Sequence, residues 1–309
     1  MTDPGLAAIM SERRQLINLA YRLLGSLADA EDVVQETYAR WYAQAPADRD
    51  AVGNPGGWLT RVAGRICLDQ LKSARARRER YVGAWLPEPV PSPGAAPDDP
   101  ADRITLDESV SMAFLVVLEE MTPAERVAFV LHDVFGYPFA EVAEIVGRTP
   151  VACRRLASTA RKRIAASHPG VPRPGAAQSA AEPRAAQGAQ EQARVVRAFK
   201  RAWEARDIGA LVGLLDPDAV MVADGGGQVR AALRPIEGAD AIARYAVDLA
   251  LFAPGLTLSE RTVNGRAGIV AQREGNTAAV IAVEVADGRI TRIWAVRNPE
   301  KLRPWLRTG

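Results

Sequence analysis

Six prolines fall between Pro87 and Pro100 in the stretch PEPVPSPGAAPDDP, and neither a helix nor a central strand can pass through it. Each proline removes a backbone donor and fixes φ, so the segment favours an extended, polyproline-like path. A second break runs from His168 to Gln190, rich in Ala, Pro, Gly and Gln and poor in large apolar residues. It has too little apolar surface to offset the entropy of ordering, and it reads as a flexible linker. A single continuous core is therefore excluded. Three blocks remain, at about 10–80, 104–167 and 191–309.

The first two blocks carry helical periodicity. Leu16, Leu19, Leu23 and Leu24 form one apolar stripe. Val33, Val34, Thr37, Tyr38 and Trp41 form a second, with Asp29 or Ser26 as its cap, and Trp58, Leu59, Val62, Ile66 and Leu71 a third. Block two predicts helices over 110–120, from Pro123 through Val134, over 139–146 and over 150–164. The last two, joined by Gly147-Arg148-Thr149, have helix-turn-helix proportions, and Pro150 suits a first helical position. The third block changes period. Helices are expected over 190–205 and 239–252, and strands over 219–223, 256–263, 268–273, 278–285 and 290–296. Turns at Glu274-Gly275-Asn276 and Asp287-Gly288 join the strands. This pattern predicts an α+β domain with an antiparallel meander.

Charge is concentrated rather than general. The whole chain carries +2, yet seven cations and two anions lie between Arg61 and Arg80, and six cations and no anion between Arg148 and Arg163. Two separated positive surfaces point to a polyanion touched at two places. Asp29, Glu31, Asp32 and Glu36 form an acidic helix face with no cation among them. No apolar run approaches the roughly 20 residues that span a bilayer. The first residues lack a basic segment followed by an apolar one, so no signal peptide and a cytoplasmic location are expected. Cys67 and Cys153 have no metal-ligand spacing and read as buried free thiols. No metal and no cofactor are expected.

Three stretches together resemble one family. DAEDVVQETYARW, with Asp29, Asp32, Gln35 and Glu36, resembles the most recognisable segment of extracytoplasmic-function (ECF) sigma factors. The resemblance implies docking of that face on the β′ clamp of core RNA polymerase, with the β subunit and promoter DNA as further partners. WLTRVAGRICLDQLKSARARRE is similar to the family's helix that melts and reads the -10 element. Trp58 would then hold unstacked DNA, unless it is core, and Arg61, Arg65, Lys72, Arg75 and Arg78 would meet phosphates or bases. Arg65 stands where many members carry Asn, and Lys72 where they carry Arg; a lysine cannot make the bidentate fork. The segment from Met121 to Ile164 resembles the domain that reads the -35 element. That implies Arg154, Arg155 and Ser158 as base or phosphate contacts and Arg161 and Lys162 on the backbone, with Thr159 in place of a usual Arg.

The chain continues beyond an ordinary member. YVGAWLPEP (81–89), DGGGQV (224–229) and NPEKL (298–302) resemble the ECF group whose members carry a C-terminal SnoaL-like domain of the nuclear-transport-factor-2-like fold. The expected architecture is two all-α sigma domains at 1–80 and 104–167, the second with a helix-turn-helix. A linker spans 81–103, a flexible linker 168–190, and an α+β SnoaL-like cone 191–309. The resemblance implies an alternative sigma subunit rather than an enzyme. Its third domain would act as a built-in regulator through contacts of Tyr81, Trp85, Asp224, Gly225, Gly226, Asn298, Pro299 and Leu302. Two other readings stay open. One is a bifunctional protein whose cone binds or converts an unidentified small molecule, with Asp224 as the best acid; the other is a stand-alone helix-turn-helix regulator. Asp224 reads equally as a turn residue, and Trp203, Tyr245, Phe252 and Trp294 as cavity lining or as core. His132 reads as a packed histidine.

Overall fold

The computed structural model describes residues 4–78, 81–91, 110–167 and 178–306, without the side chains of residues 4–11, 74–78, 167 and 178–185. The chain divides into two compact units, each built from two separated segments. Unit 1 takes residues 1–79 and 114–175, and unit 2 takes residues 80–113 and 176–309. Expectations for residues 92–109 and 168–177, including the later prolines of the first break, lie outside the described residues.

Unit 1 is helical: α1 (Pro4–Leu24), α2 (Leu27–Tyr42), α3 (Pro46–Asp50), α4 (Pro55–Arg78), α5 (Met112–Glu119), α6 (Pro123–Phe129), a π-helical turn (Val130–Val134), α7 (Phe139–Val146) and α8 (Pro150–Ser167). Its ends follow local chemistry. Ser26 caps α2 through a bond from the Asp29 backbone N–H. Thr122 and Glu125 form a reciprocal capping box before α6, and Gly147, at φ +70°, ends α7 in the left-handed conformation.

Helix α1 is buried all round from Leu16 to Leu24, because α2 and α4 flank it and the π-helical turn of the second segment packs against it. Charges enter that interior only with partners. The Arg22 guanidinium lies 5.4 Å from the Phe135 ring centre and donates to Asn18. Arg126 of α6 donates to the Leu23 carbonyl at 2.8 Å and to Glu119 at 2.7 Å. The two sigma-like segments thus share one core. On its other side α4 meets α7 so closely that a Cβ on Gly64 would stand 2.9 Å from Ile145 Cγ2. Cys67 and Cys153 are both buried free thiols.

Unit 2 is α+β: α9 (Gln178–Glu204), α10 (Ile208–Leu214), β1 (Leu215–Asp224), β2 (Ile236–Glu237), α11 (Ala239–Phe252), β3 (Leu256–Val263), β4 (Arg266–Arg273), β5 (Asn276–Ala286), β6 (Arg289–Val296) and a 3₁₀ turn at Arg303–Trp305. The sheet order is β2-β1-β6-β5-β4-β3. The meander β3-β4-β5-β6 is antiparallel, but β1 adds to β6 in parallel, a pairing the periodicity did not reveal. The three hairpin turns place Asn264-Gly265, Glu274-Gly275 and Asp287-Gly288 at positive φ in both residues, the twist that tight hairpins need. Helix α9 reaches back to Gln178, into the stretch expected as linker. Its Ala and Gln residues are strong helix formers that extend a helix anchored by the buried Val195, Val196, Phe199 and Trp203.

One face of the sheet packs on the helices through Ile269, Ala271, Ile281, Val283, Ile293 and Ala295. By strand alternation Val270, Val280, Ala282, Trp294 and Val296 turn to the opposite face, and all five are buried. Leu86 and Val90 from the linker and Leu302 and Trp305 from the tail are buried as well, and the linker falls in the same compact unit as the sheet. The linker is therefore part of the domain.

Candidate nucleic-acid interface and linker site

On α2 the spacing 29, 32, 35, 36 sets Asp29, Asp32, Gln35 and Glu36 on one face, and all four are exposed. Glu36 also pairs with Arg40 at 2.8 Å. The buried Val33, Val34, Thr37 and Trp41 hold the opposite face.

On α4 Trp58 is half-buried and packs edge-on to Trp41 with ring centres 5.1 Å apart, so it is partly core and partly available. The cations beside it have intramolecular partners. Arg61 pairs with Glu144 at 3.3 Å, Arg65 donates to the Glu144 carbonyl at 3.1 Å, and Lys72 pairs with Asp69 at 2.9 Å. Arg75 and Arg78 lie on α4, but their side chains are outside the described residues. Tyr137, just before α7, bonds with Thr60 at 2.8 Å and accepts from Gln15 at 3.1 Å. A cavity of about 430 Å³ opens beside Gly53, Asn54, Trp58, Arg61 and Glu141. Carboxylates of α7 thus stand over the cationic face of α4.

On α8 the nominated residues separate. Arg154 stacks over the Phe139 ring at 5.3 Å, and Arg161 pairs with Asp133 at 2.9 Å. Ser158 is half-buried, while Arg155 and Lys162 are exposed. His132 is packed, as its apolar setting implied: Nδ1 donates to the Tyr137 carbonyl at 2.9 Å and the ring stacks on Phe139 at 3.7 Å.

In unit 2 the three quoted motifs meet at one carboxylate. Asp224, fully enclosed at the end of β1, accepts from the Tyr81 hydroxyl at 2.6 Å and the Leu86 backbone N–H at 2.9 Å. It also accepts from the Gly226 N–H at 2.9 Å and the Lys301 ammonium at 2.7 Å. Its own carbonyl takes the N–H groups of Arg297 and Asn298. Asn298 donates to the Tyr81 oxygen at 2.9 Å, and Lys301 lies 4.0 Å from the Trp85 ring centre and bonds the Leu86 carbonyl. Burial first, then the bond to Asp224, pushes the Tyr81 hydroxyl well above its ordinary pKa.

Only two of the three glycines have positive φ. Gly226 (φ +64°) must lack a Cβ, which would stand 2.5 Å from Asn298, and so must Gly225, where a Cβ would stand closer still to the Val229 carbonyl oxygen; the Gly225 carbonyl closes the turn by accepting from Gln228 and Val229. Pro299 and Leu302 form the turn that presents Lys301, with Leu302 N–H bonded to the Pro299 carbonyl at 3.3 Å.

The far end of the linker is held by residues the motifs did not nominate. Asn264 accepts from Val90 N–H at 3.2 Å and returns its own N–H to the Val90 carbonyl at 2.9 Å. Trp305 Nε1 donates to the Pro89 carbonyl at 2.8 Å. An Asn-Gly pair reads only as a hairpin turn, so this second function has no local signal. Of the aromatics considered as cavity lining, Trp203 and Trp294 are buried core and Tyr245 is half-buried, whereas Phe252 is 83% exposed.

Comparison with known proteins bears on both units. Residues 8–77 match the family model Sigma-70 region 2, and residues 111–164 match Sigma-70, region 4. The chain is 37% identical over 301 residues to the ECF RNA polymerase sigma factor SigJ of Mycobacterium tuberculosis, covering 94% of this chain and 90% of that protein. It is 35% identical over 305 residues to the probable ECF RNA polymerase sigma factor SigI of the same species, covering 98% and 96%. The crystal structure of M. tuberculosis SigJ superposes with a TM-score of 0.72 at 33% identity, covering 97% of this chain and 98% of that one.

Proposed function

Because this chain belongs to the extracytoplasmic-function RNA polymerase sigma factors, we propose that it directs core polymerase to specific promoters under the control of its own C-terminal domain. As a sigma factor it binds core RNA polymerase and promoter DNA, which places its work in the cytoplasm. Among the described residues no helix is long and apolar enough to cross a membrane. The exposed acid face of α2 suits the β′ clamp. Trp58, Arg61, Arg65 and Lys72 of α4 suit melted -10 DNA, and α8 suits the -35 duplex.

One observation carries the regulatory reading. The enclosed Asp224 binds Tyr81 and Leu86 of the very segment that joins the two DNA-binding stretches in sequence. A domain that holds this linker acts on the arrangement of what the linker connects, provided it holds the linker differently in the active and inactive states. The same enclosure argues against turnover at this site. A carboxylate saturated by four donors, one of them an ammonium, has neither a free lone pair nor a face for a substrate.

The test is promoter-specific run-off transcription with core polymerase, comparing the full chain with Asp224→Asn and with a chain ending at about residue 190. Transcription altered by both changes is expected. Unchanged activity in both would overturn the regulatory role.

A further inference from the structure

We propose that α8 reads the -35 duplex through the stripe Val151, Arg155 and Thr159, with Val151 selecting a thymine by its methyl group. This deepens the promoter-reading function and rests on it. Four side chains, Val151, Arg155, Thr159 and Lys162, are exposed at intervals of four, four and three residues, which puts them on one face of the helix. Cys153, Ala157, Ala160 and Ile164 bury the other face. Arg154 and Arg161 flank the stripe and are engaged within the chain, by the Phe139 ring and by Asp133. They set the pose of α8 on its neighbours, a positioning role.

Val151 is 56% exposed and sits in the first turn of α8, where Thr149 accepts the Ala152 N–H at 3.2 Å. That turn is the part of a recognition helix that reaches base edges. A β-branched residue there serves neither helix propensity nor the core. Having no donor or acceptor, it can match only one group in the major groove, the thymine C5-methyl. A shallow cavity of about 340 Å³ runs beside Val151, Arg155 and Thr159. Arg155, one turn further on, offers the planar fork that pairs with guanine O6 and N7. Four residues advance a helix by about 6 Å, close to two base-pair steps of about 3.4 Å. The site therefore contains a thymine and a guanine about two base pairs apart.

The experiment uses the full chain with core polymerase on a duplex pool randomised across both promoter elements, each template carrying its own barcode downstream of the start site, and reads the barcodes of the run-off transcripts. Wild type should enrich one upstream thymine and a guanine about two pairs away. Val151→Ala should lose only the thymine preference and Arg155→Ala only the guanine preference. Arg154→Ala and Arg161→Ala should lower transcription on all sequences alike. Replacing the selected thymine by uracil should weaken wild type about four-fold, the worth of one buried methyl, about 0.8 kcal/mol, and leave Val151→Ala unaffected. Retained thymine preference in Val151→Ala, or a wild type indifferent to uracil, overturns the assignment while leaving the sigma role intact. No run-off transcript from any pool member would instead defeat the promoter-reading role, and this proposal with it.

Discussion

Asp224 and Lys301 form an ion pair of 2.7 Å in which the carboxylate has no exposure and the lysine side chain 11%. Such a pair adds modest net stability when both partners are present, but removing one strands the other in a low-dielectric interior. Asp224→Asn should lower the stability of unit 2 by about 3–5 kcal/mol and release residues 81–91. Lys301→Met should cost comparably, and the double variant less than the sum, since the two residues share one interaction. Thermal unfolding gives the energies, and amide exchange over 81–91 reads the release. Additive costs would show that the pair is not the clamp.

Gly226 is fixed twice, by φ +64° and by the 2.5 Å that a Cβ would leave to Asn298. Gly226→Ala should cost about 1–2 kcal/mol for the backbone alone and more for the clash. Adding Asn298→Ala should restore the clash component and not the backbone component. Full recovery in that double variant would mean that the left-handed turn carries no cost.

The α4–α7 contact rests on shape more than on charge. The Arg61–Glu144 pair is about half exposed on both sides, so Glu144→Ala should change unit 1 stability by less than about 0.5 kcal/mol. Gly64→Leu inserts bulk against Ile145 and should cost about 1–3 kcal/mol, with Ile145→Ala in the same chain recovering part of it. Chemical denaturation of the three variants separates the two contributions.

Asp133 supplies a pH dependence. Burial raises its carboxyl pKa, opposed by Arg161 and His132. A raised acid pKa means the folded state holds the proton more tightly than the unfolded chain. That contribution is present at low pH and is lost as pH rises through the folded value. Without Arg161 the ionised carboxylate is left less compensated. Arg161→Ala should therefore cost about 1 kcal/mol at pH 7, discounted for the half-exposed guanidinium, and less as pH falls through the carboxylate range. Melting temperatures of variant and wild type between about pH 4 and 7 check the sign.

Periodicity made the helices of unit 1 legible, because apolar stripes such as Leu16, Leu19 and Leu23 mark the faces that pack. It also located α11 and β3, where amphipathic pattern and turn residues agree. The parallel β1–β6 pairing was not legible, since β1 finds its partner about seventy residues away. The short β2 carries no periodic signal at all. The motifs pointed to Asp224, Tyr81 and Asn298, yet Asn264 and Trp305 escaped notice because each acts on the linker through a long-range backbone contact. The engagement of Arg61, Arg65, Arg154 and Arg161 was equally hidden: a basic residue written in sequence does not declare its partner.

The seating of the linker also has a timetable. Pro89 and its partner Trp305 are 216 residues apart, and Leu86 waits 215 residues for Lys301. At roughly 5–20 residues per second of synthesis, about ten to forty seconds separate the emergence of the two sides. The first segment of unit 1 has already left the ribosome when that interval begins and the second leaves during it, while Leu86 and Val90 have nothing to pack against. Each newly made molecule thus passes through a brief youth in which its DNA-binding helices exist before the domain that holds the segment between them, and the length of that interval is set by the 215 residues still to be made after Leu86.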